Sequence, residues 1–356
     1  MQDLVTAEWT DAVEAIERCY ELGWTDGLPV VPPTVNRVQE FIDIAGRPAD
    51  EVLGSIPERR REVTVAKTAA NAVMAGCLPE YFPVVLAATE AMLAQEFNLI
   101  APSSSQGGAA VLVIVNGPVV DEIGMNSGAN LFGPGNRANA TIGRAIRLIL
   151  MNACASIPGL FDRTVIGHPG KYTYCIAENE TDSDWLPLHV ERGFSPDQSA
   201  VTVFASWEPR QVRSAAYSQE VVLDTVADVA SVLGSSLASS DSVGDDSTPV
   251  RQGELVVTIG GAADFWGTWT KRDVREYLHP RIGRSIADLK IVRVLEGDVG
   301  PADYQTFANF VPEPDDILVV RAGSPEATGY RCSVILSELP KVASAAVTRA
   351  VASGPV

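Results

Sequence analysis

Apolar residues follow two patterns along the chain, one with the period of a helix and one of short uninterrupted runs. Helical spacing predicts helices over 7–22, 35–45, 63–76, 79–95, 136–156, 217–233, 270–279 and 338–352. Uninterrupted apolar runs predict strands buried on both faces, at 109–115, 171–177, 199–205, 254–260, 289–295, 316–323 and 330–336. The alternation of strands and helices predicts an α/β fold, with a mixed or mainly parallel sheet or sheets covered by helices.

A change of composition divides the chain. Residues 236–253 are rich in Ser, Asp and Gly, which is typical of a linker or an exposed loop. We therefore predict a substrate-binding and catalytic α/β domain over 1–235 and a smaller α/β domain over 254–356. No internal repeat of 20–50 residues is visible in the sequence.

The segment 126–144, NSGANLFGPGNRANATIGR, is the most polar of the predicted loop-to-helix junctions. Asn136 stands where a helix N-cap belongs, after Gly-Pro-Gly. Arg137, Thr141 and Arg144 then fall on one face of the helix. A helix N-terminus attracts anions, and arginines add paired donors, so we expect recognition of a carboxylate or phosphate. The alternative is a glycine-rich turn and a capped surface helix whose arginines form salt bridges.

Three further clusters combine polar side chains with glycine or proline: 23–34, 103–106 with Asn116, and 170–180 with 188–194. Strand ends in α/β sheets commonly contact ligands, and amide side chains can hold a carboxylate or an oxyanion. We expect all four clusters to meet at one pocket. The side chains expected to bind the substrate are Ser104, Ser105, Asn116, Asn126, Ser127, Asn130, Asn136, Arg137, Asn139, Arg144, Asn179 and Arg192.

The groups expected to transfer protons are Asp26, Glu178 and His189. His189 can form an acid/base pair with Glu178 or with Glu191, although a single histidine before a turn can also be structural. Asp26 can act as a general base or a metal ligand. Within Thr-Asp-Gly it can equally be a turn former whose side chain bonds the backbone.

Cys175 is the best candidate for a catalytic thiol among the five cysteines. A reactive thiolate needs a nearby cation that lowers its pKa, and His189 or Arg192 can supply one. The alternative is a core residue, because free cysteine is among the most buried residue types.

Charge and missing motifs limit the function classes. The formal net charge is −18 and the pI is about 4.6, which argues against nucleic acid or an anionic membrane as a partner. No apolar run reaches the roughly 18 residues of a transmembrane helix, and the acidic, amphipathic first residues do not resemble a signal peptide. Few, widely spaced cysteines without a CxxC pair predict reduced thiols and a cytoplasmic protein.

Cofactor motifs are equally scarce. The sequence has no GxGxxG after a strand, no GxxxxGK[ST], no GxSxG and no HExxH, so we expect no nucleotide cofactor. Three histidines leave little room for a His-rich metal site. Alanine-rich helices within 63–95 can form an interface between copies of the chain, which makes a homo-oligomer a second expectation.

Four long segments carry a resemblance to a known family. They are GWTDGLPVVPPT (23–34), ANAVMAGCLPEYFPVVLAATEAM (70–92), VNGP with NSGANLFGPGNRANATIGRA (115–145), and GKYTYCIAENE with LHVERGF (170–194). Together they resemble an uncharacterised bacterial family whose genes often lie beside those of small proteins with a UGSC or CGSC motif, the UGSC-type (seleno)proteins. The resemblance implies a small thiol or selenol protein as a partner that supplies the nucleophile.

From these observations we expect an enzyme that acts on a small polar, carboxylate-bearing molecule by addition, elimination or hydrolysis, as one component of a two-protein system that uses a thiol or selenol. One alternative is a non-catalytic subunit that binds substrate or acts as a scaffold for the thiol protein. A second alternative is a metal-dependent hydratase that uses Asp26, Glu178, Glu191 and His189.

Overall fold

The structure is a computed structural model that describes residues 11–181, 183–214, 218–235, 250, 252–326 and 330–352. Its helices are α1 (Ala12–Glu21), α2 (Val35–Ala45), α3 (Val65–Ala75), α4 (Phe82–Met92), α5 (Ile100–Ser104), α6 (Val119–Glu122), α7 (Arg137–Asn152), α8 (Leu188–Glu191), α9 (Gln219–Gly234), α10 (Lys271–Leu278) and α11 (Ile286–Ile291). Its strands are β1 (Val52–Ile56), β2 (Arg61–Thr64), β3 (Ala110–Asn116), β4 (Cys175–Ala177), β5 (Ala200–Ser206), β6 (Arg210–Ser214), β7 (Leu255–Ile259), β8 (Gly283–Ser285), β9 (Phe307–Asn309), β10 (Ile317–Arg321), β11 (Tyr330–Leu336) and β12 (Val347–Ala350).

The predicted fold class is confirmed: the structure is mixed α/β, with mixed sheets flanked by helices. One four-stranded sheet has the order β12-β5-β3-β4 and the other β6-β11-β7-β10. In each sheet one pair of strands is parallel and the other two pairs are antiparallel. Two short antiparallel pairs of strands, β1-β2 and β8-β9, lie outside these sheets.

The two large sheets pack face to face. Leu112 and Ile114 of one sheet share a buried cluster with Val256, Leu318 and Ile335 of the other. Alternate residues on the same strands point to the opposite faces, where α4 and α7 cover the first sheet, with α2 and α3 packed against them, and α9 and α10 cover the second. Because both faces of each sheet are buried, the strands read as continuous apolar runs, as the sequence indicates.

The two sheets repeat one arrangement. The parallel pair β3-β4 lies beside β5, and the parallel pair β7-β10 lies in the same way beside β11. The hydrogen bond from Glu178 N to Val115 O (3.1 Å) has its counterpart in the bond from Ala322 N to Ile259 O (3.2 Å). The register therefore makes Glu178 equivalent to Ala322 and Asn116 equivalent to Gly260.

The fourth strand of each sheet comes from the other half of the chain. β6 follows β5 but pairs with β11, and β12 follows β11 but pairs with β5. The last residue of β5, Ser206, and the residue after β11, Ser337, are paired antiparallel, and we call this point the crossing of the two halves. The predicted linker 236–253 lies mostly outside the described residues, and the two-domain division stays a prediction. The exchange nevertheless shows that each sheet is built from both predicted parts.

Two predicted elements are wrong. Residues 289–295 were expected to form a strand, but α11 and a turn occupy them because the Ser285 side chain accepts a hydrogen bond from Asp288 N and caps the helix. The predicted helix 338–352 contains β12 instead. Pairing of Val347–Ala350 with β5 outweighs the helix propensity of its alanine-rich sequence.

The crossing of the two halves predicts a new disulfide. Ser206 and Ser337 lie opposite each other between the bonds Trp207 N to Leu336 O (3.1 Å) and Glu338 N to Ala205 O (3.2 Å). Such a non-hydrogen-bonded pair has a Cα separation of about 4.5 Å, within disulfide reach. We expect Ser206→Cys with Ser337→Cys to form a disulfide on oxidation and to raise the free energy of unfolding by about 2–4 kcal/mol.

Peptide mapping of the oxidised protein and chemical denaturation with and without reductant measure the two effects. The single variant Ser206→Cys is the control, since it adds a thiol without a partner. Absence of the 206–337 cross-link would contradict the described crossing.

Candidate functional site

The parallel strands of both sheets end beside one another. The backbone N–H of Asn179, just after β4, donates to Arg321 O at the end of β10 at 2.7 Å. Around this junction lie Asn116, Glu178, Glu180, His189 and Lys271, which we call the Glu178 cluster. The cluster thus lies at the carboxyl ends of strands, where α/β folds commonly hold ligands.

The Glu178 carboxylate is buried and accepts four hydrogen bonds. Its Oε1 receives Lys271 Nζ at 2.6 Å and Arg321 N at 3.1 Å. Its Oε2 receives Asn116 Nδ2 and Leu188 N, each at 2.7 Å. These donors come from both sheets, from α8 and from α10, so one carboxylate joins four parts of the fold. A buried charge is tolerated only with such compensation.

The Glu180 carboxylate is held beside Glu178. Its Oε1 accepts from Asn116 Nδ2 at 2.8 Å and from Gly117 N at 2.9 Å. Gly117 has a φ of +87°, and a Cβ there would lie 2.5 Å from Gln198 O, so glycine is required to present this N–H. The Glu180 side chain is 22% exposed, which makes it the member of the cluster that water reaches.

His189 is completely buried, and its Nδ1 lies 3.7 Å from Glu180 Oε1. Among the described residues, none forms a hydrogen bond with either ring nitrogen of His189 or with Asn116 Oδ1. A buried polar atom without a partner costs about 1–3 kcal/mol, so three of them in one cluster require a physical explanation. At 3.7 Å the histidine and the carboxylate are near contact without a hydrogen bond.

A third carboxylate, Glu191, lies beside the cluster on the side of α10. Glu191 accepts a hydrogen bond from Arg275 Nη2, and its Oε2 lies 3.8 Å from Lys271 Nζ. Lys271 and Arg275 are one turn apart on α10 and both are buried. Glu178 and Glu191 therefore face the two cations Lys271 and Arg275, in a region with little access to solvent.

The first turns of α7 are engaged with protein groups. Arg144 forms a two-point ion pair with Asp26, Nε to Oδ2 at 2.9 Å and Nη2 to Oδ1 at 2.8 Å. Arg137 donates from Nε and Nη2 to Gly76 O at 3.1 and 3.0 Å. Asp26 also accepts from Leu28 N at 3.2 Å. In this structure both arginines hold loops against α7, as in the salt-bridge alternative.

The asparagines of the predicted anion loop mainly bond to one another and to the loop backbone. Asn136 is the N-cap, and its side chain accepts from Asn139 N at 3.1 Å. Asn139 accepts from Asn126 N at 2.8 Å, and Asn130 donates to Pro134 O at 2.8 Å. These bonds shape the loop. Its link to the Glu178 junction is a backbone bond, from Gly323 N to Ser127 O at 2.8 Å.

The remaining predicted residues are dispersed. Ser104 bonds back to Ile100 O within α5, and Ser105 donates to Glu338. Arg192 donates to Ala346 O at 2.8 Å, and burial lowers its pKa. The Asn179 side chain accepts from Thr181 N at 3.2 Å. Of the predicted side chains, the structure brings Asn116, Glu178 and His189 together in one cluster.

Cys175 is buried in the face of β4 that packs against the helices. Burial raises the pKa of its thiol, and Cys77 nearby raises it further. His189 and Arg192 do not contribute to that shift, so the cation that a reactive thiolate requires is not supplied by the residues expected to supply it.

Sequence reasoning missed Glu180, Lys271 and Arg275 as members of the cluster. Glu178 and Glu180 alternate at the end of a strand and can therefore point to the same side, a signal that was available. Lys271 lies almost a hundred residues further on and follows an ordinary helix cap, Thr270. A lysine in the first turn of a helix gives no local indication of burial.

Comparisons with known proteins do not assign the chain to a family: no family model matches it, and no curated protein matches it. Within the described part of the chain, no helix is long and apolar enough to cross a membrane.

The four hydrogen bonds to the Glu178 carboxylate predict that replacing this residue has a large effect on stability. Glu178→Gln removes the charge that compensates buried Lys271, and we expect it to lower the free energy of unfolding by about 3–5 kcal/mol. Adding Lys271→Met should recover part of this loss, because the uncompensated charge is removed as well. Urea denaturation measures both.

The matched control lies on the same helix. Arg272 and Glu276 form an exposed pair at 2.7 Å, and Glu276→Gln should change stability by about 0.5 kcal/mol or less. Equal effects of the two Glu→Gln changes would contradict a compensated buried charge at Glu178.

Burial also predicts the reactivity of the thiols. All five cysteines are buried, and burial raises the pKa of Cys77, Cys154 and Cys332 to about 12 each. We expect each thiol of the native protein to react with an aromatic disulfide reagent about 1,000-fold more slowly than in denaturant. Mass spectrometry of the labelled peptides identifies any exception. Fast native labelling of Cys175 would restore it as a candidate nucleophile.

Proposed function

We propose that the protein is an enzyme that acts on a small polar molecule by addition, elimination or hydrolysis, with His189 and Glu180 as its acid/base pair. The observation that carries this proposal is the 3.7 Å approach of His189 Nδ1 to Glu180 Oε1, together with the unbonded ring nitrogens. Catalytic hydrogen bonds are often long without substrate and shorten when it binds.

The surroundings support this assignment. Asn116 and Gly117 hold the Glu180 carboxylate in place, and Leu188 N fixes the start of α8 on Glu178. Hydrogen bonds thus position the Glu180 carboxylate directly, and they hold the backbone of the helix that carries His189. Such positioning lowers the entropy cost of proton transfer.

In the reaction we propose, His189 removes a proton from the substrate or from an attacking water and returns it to the departing group. Glu180 stabilises the imidazolium that forms and keeps the ring oriented, as carboxylates do beside catalytic histidines. Asn116 Oδ1, which lacks a donor among the described residues, is available to accept a substrate hydrogen bond.

A carboxylate on the substrate would compete with Gly76 O and Asp26 for Arg137 and Arg144. Recognition of a carboxylate-bearing substrate by these two arginines would therefore involve an exchange of their hydrogen-bond partners at α7. The metal-dependent alternative lacks a specific observation in its favour: within the described residues no three His, Cys, Asp or Glu side chains are grouped as metal ligands, and Asp26 is held by Arg144.

A second candidate is a substrate-binding or scaffold subunit for a small thiol or selenol protein. The observation that favours it is the burial of all five cysteines, since a reaction that needs a thiol nucleophile must then take it from another molecule. The two candidates differ in whether the isolated chain turns over a substrate.

The test is a screen of small hydroxy acids, unsaturated acids, nitriles and amides with the isolated chain, followed by nuclear magnetic resonance. For any compound turned over, we expect His189→Gln and Glu180→Gln to lower kcat by about 10²–10⁴-fold. Glu40→Gln, which removes one exposed carboxylate of the Arg37–Glu40 pair, is the matched control and should leave kcat unchanged.

Two results would overturn the proposal. Full activity of folded His189→Gln would remove the histidine from the chemistry. Turnover only after a thiol or selenol protein is added, with both variants as active as the wild type, would favour the scaffold.

A further inference from the structure

A second region of the molecule, separate from the Glu178 cluster, has the properties of a binding site. It is a cavity of about 240 Å³, lined by Trp207, Glu208, His168, Leu233, Leu336 and Ile166 and by the backbone of two glycines. A volume of this size exceeds that of one water molecule, about 30 Å³, several times over. It is large enough for a small organic compound.

The cavity lies at the opposite end of the sheets from the Glu178 cluster. One of its glycines, Gly107, precedes β3, whereas Asn116 ends β3. At 3.3 Å per residue the two ends of this strand are about 20 Å apart. Trp207 and Leu336 adjoin the Ser206–Ser337 crossing, so the cavity sits where the two halves exchange strands.

The wall and the rim of the cavity are apolar. Trp207, Leu233 and Leu336 provide an aromatic ring and two branched side chains. On the rim, Ile166 is 94% exposed and its neighbour Val165 is 74% exposed. Exposed large apolar side chains beside a cavity are typical of a ligand site, because a ligand removes them from water.

Of the polar groups of the cavity, the Glu208 carboxylate favours a cation, and the His168 ring adds no opposing positive charge. The Glu208 side chain is 47% exposed, and its ion pair with Arg210 is long, at 3.5 Å between two exposed groups, which makes it weak and open to displacement. His168 Nδ1 accepts from Gly170 N at 3.2 Å, which indicates a ring that is neutral and protonated on Nε2. Burial, with Lys171, lowers the pKa of His168 against the opposing effects of Ser206 and Glu208.

We propose that this cavity binds a small organic amine whose protonated nitrogen contacts Glu208 and whose apolar body packs against Trp207, Leu233 and Leu336. An ammonium group beside a tryptophan ring gains a further cation–π attraction. The strongly acidic chain, with 45 Asp and Glu against 27 Lys and Arg, attracts cations in general. The site is independent of the acid/base function proposed for His189.

The test uses three probes with one body and three charges: tryptamine, indole and indole-3-acetate. Isothermal titration of the full-length protein measures each dissociation constant. We expect tryptamine to bind about 3–10-fold more tightly than indole, and indole-3-acetate to bind most weakly. Glu208→Gln should abolish the preference for the amine, and Arg210→Gln should strengthen it by removing a competitor.

Three variants distinguish binding in the cavity from a general effect of the net charge. Leu233→Trp fills the cavity and should weaken all three probes, with Leu336→Phe as a second filling variant if the first does not fold. Glu40→Gln changes the net charge as Glu208→Gln does, but on α2, and should leave binding unchanged. Equal affinities for the three probes, a preference for the acetate, binding that survives both filling variants, or no binding at about 1 mM probe would each overturn the proposal.

Discussion

The structure depends on one buried carboxylate. Glu178 receives donors from β3, β10, α8 and α10, which belong to both sheets and to helices on different layers. Face-to-face packing of apolar sheets is strong but not directional. It therefore leaves the position of one sheet relative to the other poorly specified. The Glu178 carboxylate must be compensated by donors at fixed positions, and this requirement specifies how the two sheets lie on each other. Removal of the carboxylate from water is the cost.

The repeated arrangement of strands explains why this carboxylate can reach both halves. Corresponding strands of the two sheets end at the same edge, and Glu178 and its counterpart Ala322 follow β4 and β10 there. Only one half carries the carboxylate and its amide partner, since Ala322 and Gly260 stand where the other half has Glu178 and Asn116. The small counterparts leave room for the larger polar side chains on the shared edge.

Much of this fold was accessible from the sequence. The buried strands and the helices α2, α7 and α10 follow from apolar spacing and capping residues, because these signals are local. The strand at 347–350, the helix at 286–291 and the exchange of β6 and β12 were not accessible, because distant pairing and a single cap decided them. In the candidate site, Asn116, Glu178 and His189 were identified, whereas Lys271 was not, since its burial depends on a contact with Glu178 far away in the chain.

The strand exchange also gives the two edges of the sheets different properties. At the edge with Glu178 the carboxyl ends of the parallel strands lie close together. Polar backbone groups and side chains fill the space between them, and little solvent enters. At the other edge β5 and β11 end at the Ser206–Ser337 crossing, from which the chain continues to β6 and β12 in the partner sheets, and the cavity lies there beside Trp207. The same topology therefore places a largely buried polar cluster at one end and an open, mainly apolar cavity at the other.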